Sequence, residues 1–148
     1  MKKFLTLAGV SAVALIAPAT VGAATKSYNG TFVPGGTLSF DLKKTNKGKK
    51  ILDYTFFGFP VQCKSGPETT SGHLNFAVKV KHNRFEANAQ SNEPGAESKL
   101  TLIGKLKNGG QAEGTLKVQG KDVKIDDPPG ARKNCSSPKT AWTASTVN

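Results

Sequence analysis

Two cysteines, two histidines and ten acidic side chains are the residues of this 148-residue chain best suited to bond-making chemistry. A nucleophilic mechanism needs a Ser, Thr or Cys beside a base that a third group holds in place. His73 and His82 are the imidazole bases on offer. His73 falls on an outward position of an alternating segment and His82 in a turn, so both read as solvated surface histidines. No Gly-x-Ser-x-Gly elbow occurs. Glycoside hydrolysis needs two carboxylates facing each other across a cleft. Most carboxylates here fall in turns or on outward strand positions. Asp53, inside the most apolar segment of the domain, is the one to inspect, with Asp126 as its partner in a small exported hydrolase. Alternation gives Asp53 a simpler role, facing solvent or a lysine. Asp126-Asp127 precede a Pro-Gly loop and could offer oxygens to calcium. Without a spaced Asp-x-Asp series they read as turn-capping aspartates. The expectation is no catalytic residue, no metal and no cofactor.

Compartment bears on the cysteines. Met1, Lys2 and Lys3 make a short positive start, and Phe4 to Ala17 is almost entirely apolar. Pro18 breaks the run, and small residues follow: Ala19, Val21, Gly22, Ala23 and Ala24. These are the three parts of a cleavable export signal, with the cut after Ala23 or Ala24. The run of about 14 residues is short of the roughly 20 that span a bilayer. Residues 1–23 therefore read as a signal peptide helix and 24–148 as one exported domain with no transmembrane segment. In an oxidising compartment two lone cysteines most simply join. Neither Cys63 nor Cys135 belongs to a Cys-x-x-Cys pair or adjoins a histidine, so a metal pair or a reactive thiol has no support. The bond would close a loop of about 72 residues, worth about 4 kcal/mol on a chain-entropy argument.

Charge points to partners. Lys and Arg number 21 against 10 Asp and Glu, a formal net charge of +11. Arg84 and Arg132 are the only arginines. A basic exported domain drifts toward anionic surfaces, such as phosphate-bearing wall polymers, acidic polysaccharide or lipid headgroups. The plainer alternative is lysine covering polar strand faces and blunting sheet edges. Specific nucleic-acid binding would want exposed aromatics among the lysines. Phe40, Phe76, Phe85 and Trp142 fall on inward positions instead, so no specific nucleic acid is expected.

The elements that must position these residues are short alternating runs split by turn residues. Tyr28–Phe32 stops at Pro34-Gly35-Gly36. Thr37–Lys44 places Leu38, Phe40 and Leu42 on one face. Thr45–Lys49 reads as a polar turn. In Ile51–Cys63, Leu52, Tyr54 and Phe56 share one parity, and Phe57, Phe59, Val61 and Cys63 the other. A bulge at Gly58, or a central strand covered on both faces, would explain the switch. If the switch leaves a ring outside, Phe56, Phe57, Phe59 and Tyr54 are the candidates for ligand contact. Lys64–Gly72 reads as a polar loop, and His73–Val80 as a strand turning at His82-Asn83. Phe85, Ala87 and Ala89 mark the return strand, ended by a loop around Pro94-Gly95. Leu100–Leu106 and Ala112–Val118 flank the hairpin signal Lys107-Asn108-Gly109-Gly110. Inward Gly104 and Gly114 would admit close approach by a ring or another backbone. A turn at Gly120-Lys121, a short Val123–Ile125 strand and the irregular Asp126–Lys139 lead to a last strand at Trp142.

Several of these segments resemble a group of uncharacterised secreted all-β proteins found mainly in soil actinobacteria. The matching residues are Tyr28–Phe32, Gly36–Leu42, Phe56–Cys63, the hairpin from Ile103 to Leu116, and Cys135 followed by Trp142-Thr143-Ala144. The likeness spans nearly all of the domain. It implies export, a β-fold and the cysteine pair, and carries no activity.

The expected architecture is all-β, a single antiparallel sandwich-like domain of about eight strands, or else a small up-and-down barrel. The expected function is a secreted, monomeric, non-enzymatic domain that binds or decorates an anionic wall polymer or polysaccharide. A carboxylate hydrolase is one alternative. A protein inhibitor or partner-binding module using the Lys64–Gly72 or Asp126–Lys139 loop is another.

Overall fold

Apolar residues at every second position give each strand one face to bury, and antiparallel pairing gathers those faces around a common core. The computed structural model describes residues 23–75, 77–91 and 97–148. Residues 1–22 of the expected signal sequence, Phe76, Glu93 and the Pro94-Gly95 turn lie outside the described residues. Ten strands are described: β1 (Ala24–Phe32), β2 (Thr37–Thr45), β3 (Gly48–Cys63), β4 (Gly66–Leu74), β5 (Val78–Val80), β6 (Arg84–Gln90), β7 (Ser98–Lys107), β8 (Gln111–Lys124), β9 (Arg132–Ser136) and β10 (Thr140–Thr146). All pairings are antiparallel and belong to one sheet. No helix among the described residues is long and apolar enough to cross a membrane.

The sheet wraps on itself. β1 pairs with β2 on one edge and with β10 on the other, and β10 also pairs with β8. Following β2, β3, β5, β6, β7 and β8 returns to β10, with β5 and β6 joined only by the bridge Lys81↔Arg84. That narrow seam makes the fold a coiled sheet rather than an evenly staved barrel. β8 gives one edge to β7 and shares the other between β10 and β9. At the changeover the Val118 amide donates to the Ser137 hydroxyl, so the exposed rung of the ladder stays satisfied.

β3 carries two bulges, one more than its alternation suggests. Ile51, Tyr54, Phe56, Phe59, Val61 and Cys63 are all buried. The register shifts opposite Ser39/Asp41 and again between Phe56 and Phe59. Asp53 (φ +49°) and Gly58 (φ +61°) take the left-handed turns that make this possible. Leu52 consequently sits on the opposite side from Tyr54 and is only half-buried.

Two segments expected as irregular are strands. Lys64–Gly72 is largely β4, and Asp126–Lys139 contains β9. His73–Val80 is divided between β4 and β5. The polar run of β4 reads as loop because it borders β3 on one side only and buries little beyond Thr70 and Leu74.

Packing is aromatic. Tyr28 stacks on Phe40 at 4.7 Å, and Phe40 also meets Tyr54, Phe85 and Trp142 at about 6 Å. A second group, Phe32, Phe56 and Phe59, lies in edge-to-face contacts. Gly104 and Gly114 are direct cross-strand partners, flanked in the same row by Phe85 on β6 and Trp142 on β10. A Cβ at Gly104 would strike the Phe85 ring, and one at Gly114 the Trp142 ring and the Ile103 carbonyl. The two rings lie over the glycines and meet each other, 6.2 Å apart.

Candidate functional site

The hairpin between β2 and β3 turns on Asn46-Lys47 alone, and this fixes which lysines face each other. Lys43 is directly opposite Lys50, and Lys44 opposite Lys49. On the far side of β3, Lys50 is directly opposite Lys79 of β5. Cross-strand partners share a face, and Lys43 alternates with the buried Leu42, so Lys43, Lys50 and Lys79 form a row on the outer surface. The row continues at the seam. His82 and Asn83, both at positive φ, turn the chain so that Lys81 meets Arg84. Arg84 in turn is opposite Lys105 of β7.

This belt places cations at neighbouring positions on β2, β3, β5, β6 and β7, with strands about 4.8 Å apart. None of its members forms an ion pair among the described residues. Carboxylates at its margin are engaged elsewhere. Asp41 accepts from the Ser27 hydroxyl at 2.7 Å, and Glu86 from the Asn88 amide at 3.2 Å. Glu113, across from Lys105, is bonded to Lys107 at 2.9 Å, and that bond and charge hold its carboxyl below the usual range.

Like charges in direct opposition destabilise a sheet by a few tenths to about 1 kcal/mol each. Edge protection does not account for them. β2 lies between β1 and β3, and β3 between β2 and β5, so Lys43 and Lys50 guard no free edge, whereas Lys79, Lys81 and Arg84 flank the seam between β5 and β6. Elsewhere the chain does pair lysines with acids: Lys121 with Glu97 at 2.8 Å, and Lys133 with Glu68 in a half-buried contact.

The aromatic candidates separate sharply. Tyr54, Phe56 and Phe59 are buried in the core, out of reach of an external ligand. Phe57 is 59 % exposed, because the Gly58 bulge turns it outward between two inward rings. Cys63 and Cys135 are directly opposed on β3 and β9 and are disulfide-bonded. Their ladder has only two residue pairs, so the bond holds together what hydrogen bonds scarcely do.

Asp53, His73 and Thr55 lie together on the outer face. Thr55 Oγ1 is 2.9 Å from His73 Nδ1, and His73 Nε2 is 3.8 Å from Asp53 Oδ1. The group resembles a nucleophile, base and acid in composition, but the Asp53 and His73 side chains are 64 % and 47 % exposed. At 3.8 Å the carboxylate makes no orienting hydrogen bond. Asp126 accepts from the Ser71 hydroxyl and borders a shallow hollow with Lys124 and Gly130, which Asp53 does not share. No three metal-ligating side chains converge among the described residues. No family model, curated protein or solved structure matches the chain.

Proposed function

We propose that this chain is an exported, non-catalytic β-domain that binds a linear polyanion, such as a phosphate-bearing wall polymer or an acidic polysaccharide, along the belt Lys43–Lys50–Lys79–Lys81–Arg84–Lys105. The observation that carries the reading is the direct opposition of Lys43 and Lys50 on two strands interior to the sheet, continued by Lys79 beside its seam and retained against stability. A polymer running perpendicular to the strands meets a cation on strand after strand. Its bound charges release counterions, and that release drives association. The positive start, short apolar run and small-residue exit of residues 1–23 favour export. The Cys63–Cys135 bond is at home in such a compartment.

The test is retention of the purified chain on anionic and neutral polymer matrices across a salt series. Retention on the anionic matrix alone is expected, with the logarithm of affinity falling linearly with the logarithm of salt. Lys50→Glu with Lys79→Glu is expected to abolish it. Equal retention on both matrices sinks the proposal, and so does a double variant that binds like the parent.

A further inference from the structure

We propose a second site, separate from the belt, at the open end of the wrapped sheet. It takes a small ligand that joins a multiply charged phosphate or carboxylate group to a short apolar body. Inward positions at this end run from apolar to cationic. Lys26 continues the inward series of Tyr28, Lys44 that of Leu42, and Lys49 that of Ile51. An inward position is where a wrapped sheet ordinarily keeps an apolar residue. Here three neighbouring strands carry an inward-parity lysine past the core to the rim, where Lys26 and Lys44 are exposed and Lys49 is half-buried, and Lys44 directly opposes Lys49. None of the three has an ion pair among the described residues.

They surround a cavity of about 340 Å³ with Tyr28, Leu42 and Leu106 in its walls. These three are buried, with relative exposures of 4 %, 7 % and 7 %. The volume is at the small end of ligand sites, which pair apolar walls with a few polar groups. The far wall is the Asn108–Gly110 turn with Lys107, whose ammonium is paired to Glu113 at 2.9 Å, and no carboxylate is among the described residues that line the cavity. Tyr28 is the one ring of the stacked aromatic group to reach it. Burial raises its phenol above the ordinary value. Cations at the rim and a tyrosine with two leucines in the walls match a ligand charged at one end and apolar at the other.

The source of such a group is either a free small molecule or the terminus of the polymer carried on the belt. Calorimetric titration of the purified chain separates them, with phenyl phosphate, inorganic phosphate and phenol as probes. Phenyl phosphate is expected to saturate and to bind more tightly than either fragment. Lys44→Gln with Lys49→Gln is expected to weaken it by about tenfold or more. The same double variant is expected to melt at a higher temperature, because it removes a like-charge pair, so failure to fold is not a concern. Lys50→Gln with Lys79→Gln is expected to leave phenyl phosphate affinity within about twofold. A phosphodiester oligomer that displaces phenyl phosphate only when the belt is intact assigns the site to a polymer terminus. Displacement independent of the belt assigns it to free ligands. Equal weakening by the two double variants, or phenyl phosphate binding no tighter than inorganic phosphate, overturns the site. A chain that fails to hold polymer yet still saturates with phenyl phosphate rejects the belt alone.

Discussion

The two ends of β1, β2 and β3 obey opposite rules. At one end the inward positions finish in Phe32, Leu38, Phe56 and Phe59, and β3 runs on to a covalent link at Cys63. At the other they finish in Lys26, Lys44 and Lys49, with Lys43 and Lys50 opposed on the reverse face. One end collects stabilising devices: edge-to-face rings, a disulfide and the half-buried Lys133–Glu68 contact. The other collects unfavourable ones. A domain of this size has only about 5–15 kcal/mol of net stability. The stabilising devices at the strong end therefore offset the repulsion among the lysines at the other.

Breaking the strong end should give the largest effect. Cys63→Ala with Cys135→Ala is expected to lose about 4 kcal/mol, read from the denaturant midpoint against the oxidised parent. Loss of less than about 1 kcal/mol would mean the two-pair β3–β9 ladder needs no staple. Next comes the glycine row between the ends. Gly104→Ala must displace the Phe85 ring and, through it, Trp142. A loss of about 2 kcal/mol and altered tryptophan fluorescence are expected.

Changes at the cationic end should run the other way. Lys50→Glu turns two repulsive cross-strand pairs into attractive ones. It is expected to stabilise by about 1 kcal/mol in low salt, with the gain fading as salt rises. A loss of stability would undo the contrast between the ends.

The smallest effect belongs to the interior. Tyr54 Oη and Trp142 Nε1 are buried with no hydrogen-bond partner among the described residues. Tyr54→Phe removes an unsatisfied hydroxyl and is expected to be neutral or stabilising by up to about 1 kcal/mol. Burial raises the Tyr54 phenol above its ordinary 10.0. The folded state thus keeps a proton that the unfolded chain releases near pH 10. Its stabilising contribution is full below that pH and is lost as pH rises beyond it. Unfolding of the parent above pH 10 should therefore be steeper than that of the variant, measured by urea midpoints at pH 8 and pH 11.

Periodicity makes the apolar skeleton legible. Leu38, Phe40 and Leu42, the return strand at Phe85, the Gly58 bulge and the inward glycines all follow from alternation and residue size. Lone cysteines after an export-like start point to their bond. Asp53 hid the second bulge, because an aspartate on an outward parity looks regular until its φ is known. β4 and β9 carry too few buried residues to announce themselves. The belt is hidden for a different reason: opposition across strands is a property of register. Reading Thr45–Lys49 as a five-residue turn removes Lys49 from the ladder. Shortening that turn to Asn46-Lys47 pairs Lys43 with Lys50 and Lys44 with Lys49 at once.

The pairing of β1 with β10 sets the order of events in making the protein. Tyr28 finds its neighbour in Thr146, and Phe32 in Trp142, so β1 depends on β10, more than 100 residues later in the chain. Cys135, too, lies in β9, the strand just before β10. Until that segment is delivered, one side of β1 stays open and the aromatic interior lacks its indole. Before β10 is delivered, β1 and β8 each lack the neighbour that closes them, while the hairpins β2–β3 and β7–β8 can already pair. Any escort or delay in its production would act within that interval.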